Sequence, residues 1–527
     1  MKGARTSDHI FLLQTIIEKV VKKNKKKLFT AFIDFSKAYD TVNRTKLFER
    51  LQSLGINGIF LNNLRAMYAI TKYKIKLKTG FLDAISSNLG LKQGCPLSPM
   101  LFNLYIDDIM NIFDRNCDPI NFQGNELYHF LYVDDLVLLS NSPEGLQNSL
   151  DKLAQYAESK GLTISIKKSK TMIFNLQGRV IQKIFNIKGK PLEPVNTFCY
   201  LGFEICPSGS VKHAMNSLRD KAGKALRPLM NAIAKFDLPT KTSIQLFHTY
   251  VSPILLYNVE NWSILTDKNL RDYKDPYVYD SVNISKTDTM HRKYLKYTLG
   301  LPKSSPNLVI YGETGEIPVA LKGYRLMLNY WKRLITLPNH CLAKMAYIEN
   351  VSLRTNWLQT IEKLIRTFKL VDVPNNKFKK TSKENIENYF KNNWKLEMGS
   401  TESARLNVYK AINKNFCTAK HLHLPFHLRK AVSKIRCSSH SLEIEKGRHN
   451  GTPREERICK NCQNGTIENE EHFLINCSTY QPLRDHFRVN FDNIYDFLQT
   501  DDQEQLAKFL LSAFEVRQRL INGREGE

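Results

Sequence analysis

Two acidic residues interrupt an apolar stretch, Tyr128-His129-Phe130-Leu131-Tyr132-Val133-Asp134-Asp135-Leu136-Val137-Leu138-Leu139. Aromatic and aliphatic residues flank the pair on both sides. This pattern predicts two buried strands joined by a two-residue turn, with both acids at its tip. Carboxylates so close to a core are costly unless a cation compensates them. A divalent metal that prefers hard oxygen ligands, magnesium above all, does so most simply. A third acid is available upstream, because Leu28-Phe29-Thr30-Ala31-Phe32-Ile33 is another apolar strand and ends on Asp34. Gathered on one sheet, the three would form a two-metal site for phosphoryl transfer.

The bulk numbers agree with a polyanionic partner. Lys+Arg 77 against Asp+Glu 51 leaves the 527-residue chain at +26. The basic residues are spread along the chain, so nucleic acid explains them better than a basic tail would. The run Lys22-Lys23-Asn24-Lys25-Lys26-Lys27 is read as a solvated helix end. The length allows about three domains of ~150 residues. Ten cysteines in so long a chain are not a secreted disulfide framework. They point to a reducing compartment, nuclear or cytoplasmic. No apolar run reaches the ~18 residues of a membrane span, and the first residues lack a signal-peptide core.

The first 200 residues alternate helices and strands. Ile10, Leu13, Ile16, Ile17 and Val20 share a helical face within residues 8–23. Helices are expected from Arg44 to Leu54 and near Phe60 to Ala69, then a strand pair around Tyr73–Leu77 and Phe81–Ile85. A loop, Leu91-Lys92-Gln93-Gly94-Cys95-Pro96-Leu97-Ser98-Pro99, opens a helix through Met110. Asp107 and Asp108, within that helix, are read as a solvated face or a local ion pair. Another helix runs from Ser142 to Lys160, and strands are expected at Leu162–Ile166 and Lys170–Phe174. The fold class is α+β, with helices on one side of a sheet. Residues 211 to about 345 are helical and basic, and residues 351–400 are polar helices and loops. Near the C-terminus the spacing Cys459-x2-Cys462-x9-His472-x4-Cys477 offers three sulfurs and one imidazole. That set closes a tetrahedral zinc site with no open position, so one zinc would be structural.

Ala31-Phe32-Ile33-Asp34-Phe35-Ser36-Lys37-Ala38-Tyr39-Asp40, Gln93-Gly94-Cys95-Pro96-Leu97-Ser98-Pro99 and Tyr132-Val133-Asp134-Asp135 occur in that order. Together they resemble the palm motifs of a LINE-type (jockey-like) non-LTR retrotransposon reverse transcriptase. Gly161-Leu162-Thr163-Ile164-Ser165 with Lys170-Thr171, and Tyr200-Leu201-Gly202, resemble the two later palm motifs. The resemblance extends through Tyr250–Tyr257 and the stretch from Arg292 to Gly300, and so covers nearly the whole chain.

It implies a right-hand polymerase with partial fingers, palm, helical thumb and a small zinc-knuckle helical module. The corresponding domains are 1–190 for fingers and palm, 191–345 for primer grip and thumb, 346–446 for a polar connector, and 447–527 for the knuckle. Asp34, Asp134 and Asp135 would hold two magnesium ions. Lys170 would neutralise or protonate the departing pyrophosphate. Tyr39 would exclude a 2′-hydroxyl, and Gln93 and Gly94 would lie against template and nucleotide. Tyr200, Leu201 and Gly202 would grip the primer. Arg5 would be a remnant of a longer fingers region, the chain being an N-terminally truncated polyprotein. An RNA template, a DNA primer and deoxynucleoside triphosphates are the implied partners. The open alternatives are a catalytically inactive remnant that only binds nucleic acid and, less well matched, a group II intron-type maturase.

Overall fold

Strand β1 (Leu28–Asp34) is the spine of the N-terminal half. Its residues are buried almost to the end because neighbouring strands flank it and both faces of the sheet are covered. In the computed structural model, residues 5–78, 80–262, 285–462 and 464–524 are described. They divide into two compact units, residues 1–214 with 333–359, and residues 215–332 with 360–527. This division differs from the expected boundaries, since segment 333–359 packs with the first unit. There helix Leu342–Ser352 lies on α1 (Thr6–Ile17), and Asn350 Nδ2 donates to Thr15 Oγ1 (2.7 Å).

After α1 and β1 the first unit continues with α2 (Arg44–Ser53) and α3 (Gly58–Ala69). A ribbon of two-residue strands follows: β2 (Lys72–Tyr73), β3 (Lys76–Leu77), β4 (Gly80–Phe81) and β5 (Ile85–Ser86). Next come α4 (Ser98–Ile106), a small hairpin of β6 (Ile120–Phe122) and β7 (Asn125–Leu127), and the hairpin of β8 (His129–Tyr132) and β9 (Asp135–Ser140). Then α5 (Pro143–Lys160), β10 (Lys170–Phe174), β11 (Phe185–Ile187) and β12 (Lys190–Pro194) lead to a last hairpin, β13 (Phe198–Tyr200) and β14 (Phe203–Ile205).

The main sheet has the order β11-β12-β10-β1-β9-β8. Only β10 and β12 pair in parallel. Alternate residues of a strand face opposite sides. Ala31 and Ile33 join Leu136, Leu138 and Ile173 in a core shared with Phe102 of α4 and Leu150 of α5. Phe32, on the other face, stacks on Phe198 at 4.5 Å and lies 5.7 Å from Tyr200. The sheet is therefore covered by helices on one face and by β13–β14 on the other.

Three local expectations change. Segment Leu162–Ile166 is not a strand; Ile164 makes a single bridge to Phe35. Its backbone is tied instead to the end of β1, with Ser36 N donating to Thr163 O (2.8 Å) and Ser165 N to Asp34 O (2.9 Å). The helix of α4 tightens to a 3₁₀ turn at Asp107–Ile112. There Asp108 is bound by Lys160 Nζ (2.7 Å) and Tyr156 Oη (2.5 Å), a local ion-pair network. The strand pair at 73–85 is broken into the short ribbon above.

Arg44, outwardly an ordinary first residue of a helix, is buried. Its guanidinium donates to the carbonyls of Tyr68 (3.0 Å), Ser87 (2.8 Å), Leu89 (2.9 Å) and Gly90 (2.9 Å). It thereby fixes the chain just before the Gln93 loop. Gly90 has φ +81°, and a Cβ there would lie 2.7 Å from the carbonyl oxygen of Asp40. The left-handed backbone and the clash with main chain both oppose any side chain. Gly90→Ala is expected to cost roughly 2 kcal/mol or more, read as a lowered urea midpoint. A variant as stable as the parent would show that the two segments are not in contact.

Candidate active site and Cys/His cluster

The register of β1 and β9 sets Asp34 directly across from Asp135. Tyr132 pairs with Asp135, so the two-residue turn of the hairpin is Val133-Asp134. This corrects the expectation that both acids form the tip. Asp134 is in the turn and Asp135 is the first residue of β9. Val133 adopts φ +57°, a conformation that β-branched residues resist. The sheet pairing on either side imposes it, and strain of this kind is found where a precise position matters.

Asp34 is held from three directions. Its amide donates to Ser169 Oγ (3.1 Å) and its carbonyl accepts from Ser165. Its carboxylate lies 3.3 Å from Lys168 Nζ. The atom nearest Lys168 is Oδ2, which is buried and takes this ionic contact without hydrogen-bond geometry. Burial, then the charges of Asp134 and Asp34, push the Asp135 carboxyl up to about 6, with Lys168 opposing. Asp34, Asp134 and Asp135 are close enough for the first two to repel the third, with one ammonium beside them, and an all-oxygen donor set suits a hard divalent cation. Their oxygens do not all lie within 4.8 Å of one another, so an ion would have to draw them together.

The raised pKa has a consequence for stability. Between about pH 4 and 6 the folded chain retains a proton at Asp135 that the unfolded chain has lost. Stability without added magnesium is therefore expected to fall as pH rises through this window. Magnesium should restore it, and more strongly at pH 7 than at pH 5. Thermal melts across this range, with and without magnesium, check this; a magnesium increment independent of pH would count against Asp135 as part of the site.

Tyr39 is half-buried with its ring stacked on Phe102 (5.0 Å, 25°). Burial and the charge of Asp134 both raise its pKa, so the ring lies within the field of the acids. The sequence alone gives Asp40 no role. It accepts a hydrogen bond from Gln93 Nε2 (3.0 Å), and Leu91 N donates to Tyr39 O (2.8 Å), so the first two motifs are zipped together. Gly94 has φ +78° and open space where a Cβ would stand. Tyr200 is buried against Phe32 and Phe130, and Leu201-Gly202 forms the turn of β13–β14.

Two residues are placed elsewhere than expected. Lys170 pairs with Glu193 (2.5 Å) in the β10–β12 register, and Lys168 is the cation beside Asp34. Arg5 is exposed at the start of α1, where its amide donates to Asp8 (2.9 Å). Lys168 carried no distinguishing signal, because Lys167, Lys168 and Lys170 look alike in sequence.

In the second unit Cys459, Cys462, His472 and Cys477 are all buried, with ligand atoms within 4.8 Å of one another. Cys462 Sγ lies 3.2 Å from His472 Nε2. A short bridge between Ile458 and Ile467 and the bond from Cys459 N to Thr466 O (2.8 Å) shape the knuckle. The hydrogen bond between Cys459 and Cys477 splits the pair, lowering Cys477 to about 7 and raising Cys459 to about 12. One thiol is thus poised as the thiolate that a soft cation requires. Among the described residues, no helix is long and apolar enough to cross a membrane.

Residues 2–205 match the family described as Reverse transcriptase (RNA-dependent DNA polymerase). The Retrovirus-related Pol polyprotein from type-1 retrotransposable element R2 of Popillia japonica is 26% identical over 302 residues, 56% of this chain and 39% of that protein. That of the type-2 element R2DM of Drosophila melanogaster is 23% identical over 306 residues, 55% of this chain and 26% of that protein. The chain thus spans at most about two-fifths of these relatives. Among solved structures, apo telomerase from Candida tropicalis aligns with 65% of this chain and 56% of its own, at 13% identity and a TM-score of 0.31. Telomerase from Candida albicans, in complex with a TWJ fragment of telomeric RNA, aligns with 66% of this chain and 54% of its own, at 13% identity and a TM-score of 0.28. At these scores the structural likeness carries no further argument.

Proposed function

From a reverse transcriptase domain of the non-LTR retrotransposon kind over residues 2–205, we propose a magnesium-dependent RNA-directed DNA polymerase. Its substrates would be an RNA template, a DNA primer and deoxynucleoside triphosphates. The observation that carries this reading is the register of Asp34 against Asp135, with Asp134 in the adjoining turn.

Asp34, Asp134 and Asp135 would hold two magnesium ions. When bound, the ions lower the pKa of the primer 3′-hydroxyl and neutralise the leaving pyrophosphate. The chain's own residues supply positioning. Lys168 balances the carboxylates and offers a cation to the triphosphate. Lys170, if it acts on pyrophosphate, must first leave Glu193. Gln93, steadied by Asp40, and Gly94, with its open face, lie against template and nucleotide. The turn Leu201-Gly202, anchored by buried Tyr200, would support the primer. Residues 191–345 would supply the primer grip and thumb, those at 263–284 lying outside the described residues, and the buried Cys/His cluster would hold one structural zinc.

Primer extension on an RNA template with deoxynucleotides and magnesium is the test. Incorporation that requires magnesium supports the reading. Salt-sensitive nucleic-acid binding without incorporation at high enzyme concentration would replace it with the non-catalytic one.

Tyr39 gives the substrate preference. Its ring is flat, stacked and rigid, which steric exclusion of a 2′-hydroxyl requires. Tyr39→Ala is expected to raise ribonucleotide incorporation at least about tenfold, the scale of ~1.4 kcal/mol of relieved contact, while retaining deoxynucleotide incorporation. Unchanged discrimination in an active variant would reduce Tyr39 to a packing partner of Phe102.

A further inference from the structure

A second cluster of metal-ligating side chains lies in the second unit, apart from the knuckle. His248 is on the π-helical turn Phe247–Val251, and His291 is on helix Lys286–Thr298. Glu316 follows Gly315, which closes helix Asn307–Thr314. Their ligand atoms lie within 4.8 Å of one another. No sequence spacing links the three, so only the fold brings them together.

His291 is the telling residue. It is 0% exposed, and neither of its ring nitrogens has a hydrogen-bond partner. Its ring packs on Phe247 (4.9 Å, 27°), with His248 at 5.7 Å and Tyr311 at 6.1 Å. A buried imidazole left without partners loses solvation and gains nothing in return. Ring nitrogens in that condition are available as ligands. A cation already stands in the cluster: Lys322 Nζ lies 2.8 Å from His248 Nε2 and 3.6 Å from Glu316 Oε2. Lys322 and the 2.8 Å contact between His248 Nε2 and Glu316 Oε2 occupy the place a metal ion would take, so the ion must displace that ammonium. Beside the cluster is a cavity of about 370 Å³, lined in part by Glu316, Lys322, Arg325 and Lys391, which offers an entry path.

We propose that His248, His291 and Glu316 bind a zinc-class divalent ion. Two imidazoles and a carboxylate suit zinc rather than magnesium, which favours oxygen alone. Lys322 swings out into the cavity on binding, and the fourth coordination position faces that cavity. The competing account is a hydrogen-bonded network of His248, Glu316 and Lys322 that holds no metal.

The full chain, expressed with zinc or with cobalt(II), decides between them by metal content and absorption. The parent is expected to hold one metal equivalent more than His248→Ala, and one more than His291→Gln. His248 is partly exposed, so its replacement tests the site even if the His291 variant fails to fold. In the cobalt form, the equivalent lost with His248 should contribute no thiolate charge-transfer band, which separates it from the cysteine cluster. Lys322→Gln removes the competing ammonium and should bind the ion at least about tenfold tighter, as loss of a like charge at close range predicts. Equal metal content in the parent and in folded His248→Ala would overturn the proposal. So would Lys322→Gln that gains no affinity.

Discussion

Asp134→Asn is expected to abolish primer extension while leaving the fold intact. Asparagine has nearly the shape of aspartate, and position 134 is in the turn of the hairpin, so the substitution leaves strand packing undisturbed. What disappears is one of three crowded negative charges. Its loss removes part of the repulsion that pushes Asp135 up. Without magnesium the variant should therefore melt no lower than the parent, and its Asp135 should titrate lower. Activity should move the other way. A carboxylate that would hold magnesium acts in the transition state, and its removal is expected to cost on the order of 10³-fold or more, about 4 kcal/mol. Lys168→Ala, beside Asp34, should have a milder effect, since it removes a balancing charge and no ligand. Opposite changes in stability and rate would mark Asp134 as a functional group. Extension by Asp134→Asn near the parent rate would remove it from the active site.

The sequence disclosed the acids of this site more readily than their setting. The apolar run ending on Asp34 and the acid pair of the hairpin were legible because each breaks a strong β pattern. The position of the turn was not. Val133 is β-branched, so local preference places the turn one residue later, on the two acids. Pairing of β9 with β1 overrides that preference and brings Asp135 into register with Asp34. Lys168 and Lys170 could not be told apart by spacing, because segment 162–166 looks like a strand. Its backbone bonds go to Asp34 and Ser36 instead. Arg44 was invisible for another reason: a helix-start arginine looks solvated until four carbonyls converge on it. The cluster of His248, His291 and Glu316 joins two helical segments and a loop between helices, and leaves no mark in any window of sequence.

Removal of metal from the Cys/His cluster should unsettle far more than the knuckle itself. Cys459, Cys462 and Cys477 belong to one core with Val432, Ile435, Phe473, Tyr480, Leu506 and Leu510. That core spans helix Phe426–Arg436 and the terminal helix from Gln503. A segment cut at residue 447, which the spacing alone marks as a separate module, would lose the first of these helices and expose the face it covers. The full chain is therefore the proper test. Buried ion pairs add to the coupling: Arg517 bonds Glu468 (2.6 Å), and Arg436 bonds Glu313 (2.9 Å). Zinc binding in small sites is folding energy, about 10–16 kcal/mol at pH 7 in finger peptides. Here part of the core persists without it, so Cys462→Ser is expected to destabilise by more than about 3 kcal/mol. It should release one zinc and raise amide exchange across residues 426–520. Acid should do the same reversibly. Protons compete for the thiolates, so zinc affinity should fall with pH, and release should come well below the metal-free Cys477 value of about 7, because bound zinc holds the thiolates deprotonated. Magnesium binding at Asp34, Asp134 and Asp135 should be unaffected, because those ligands belong to the other unit. If Cys462→Ser keeps the parent's stability and zinc content, the four residues are only a packed cluster of thiols and a histidine.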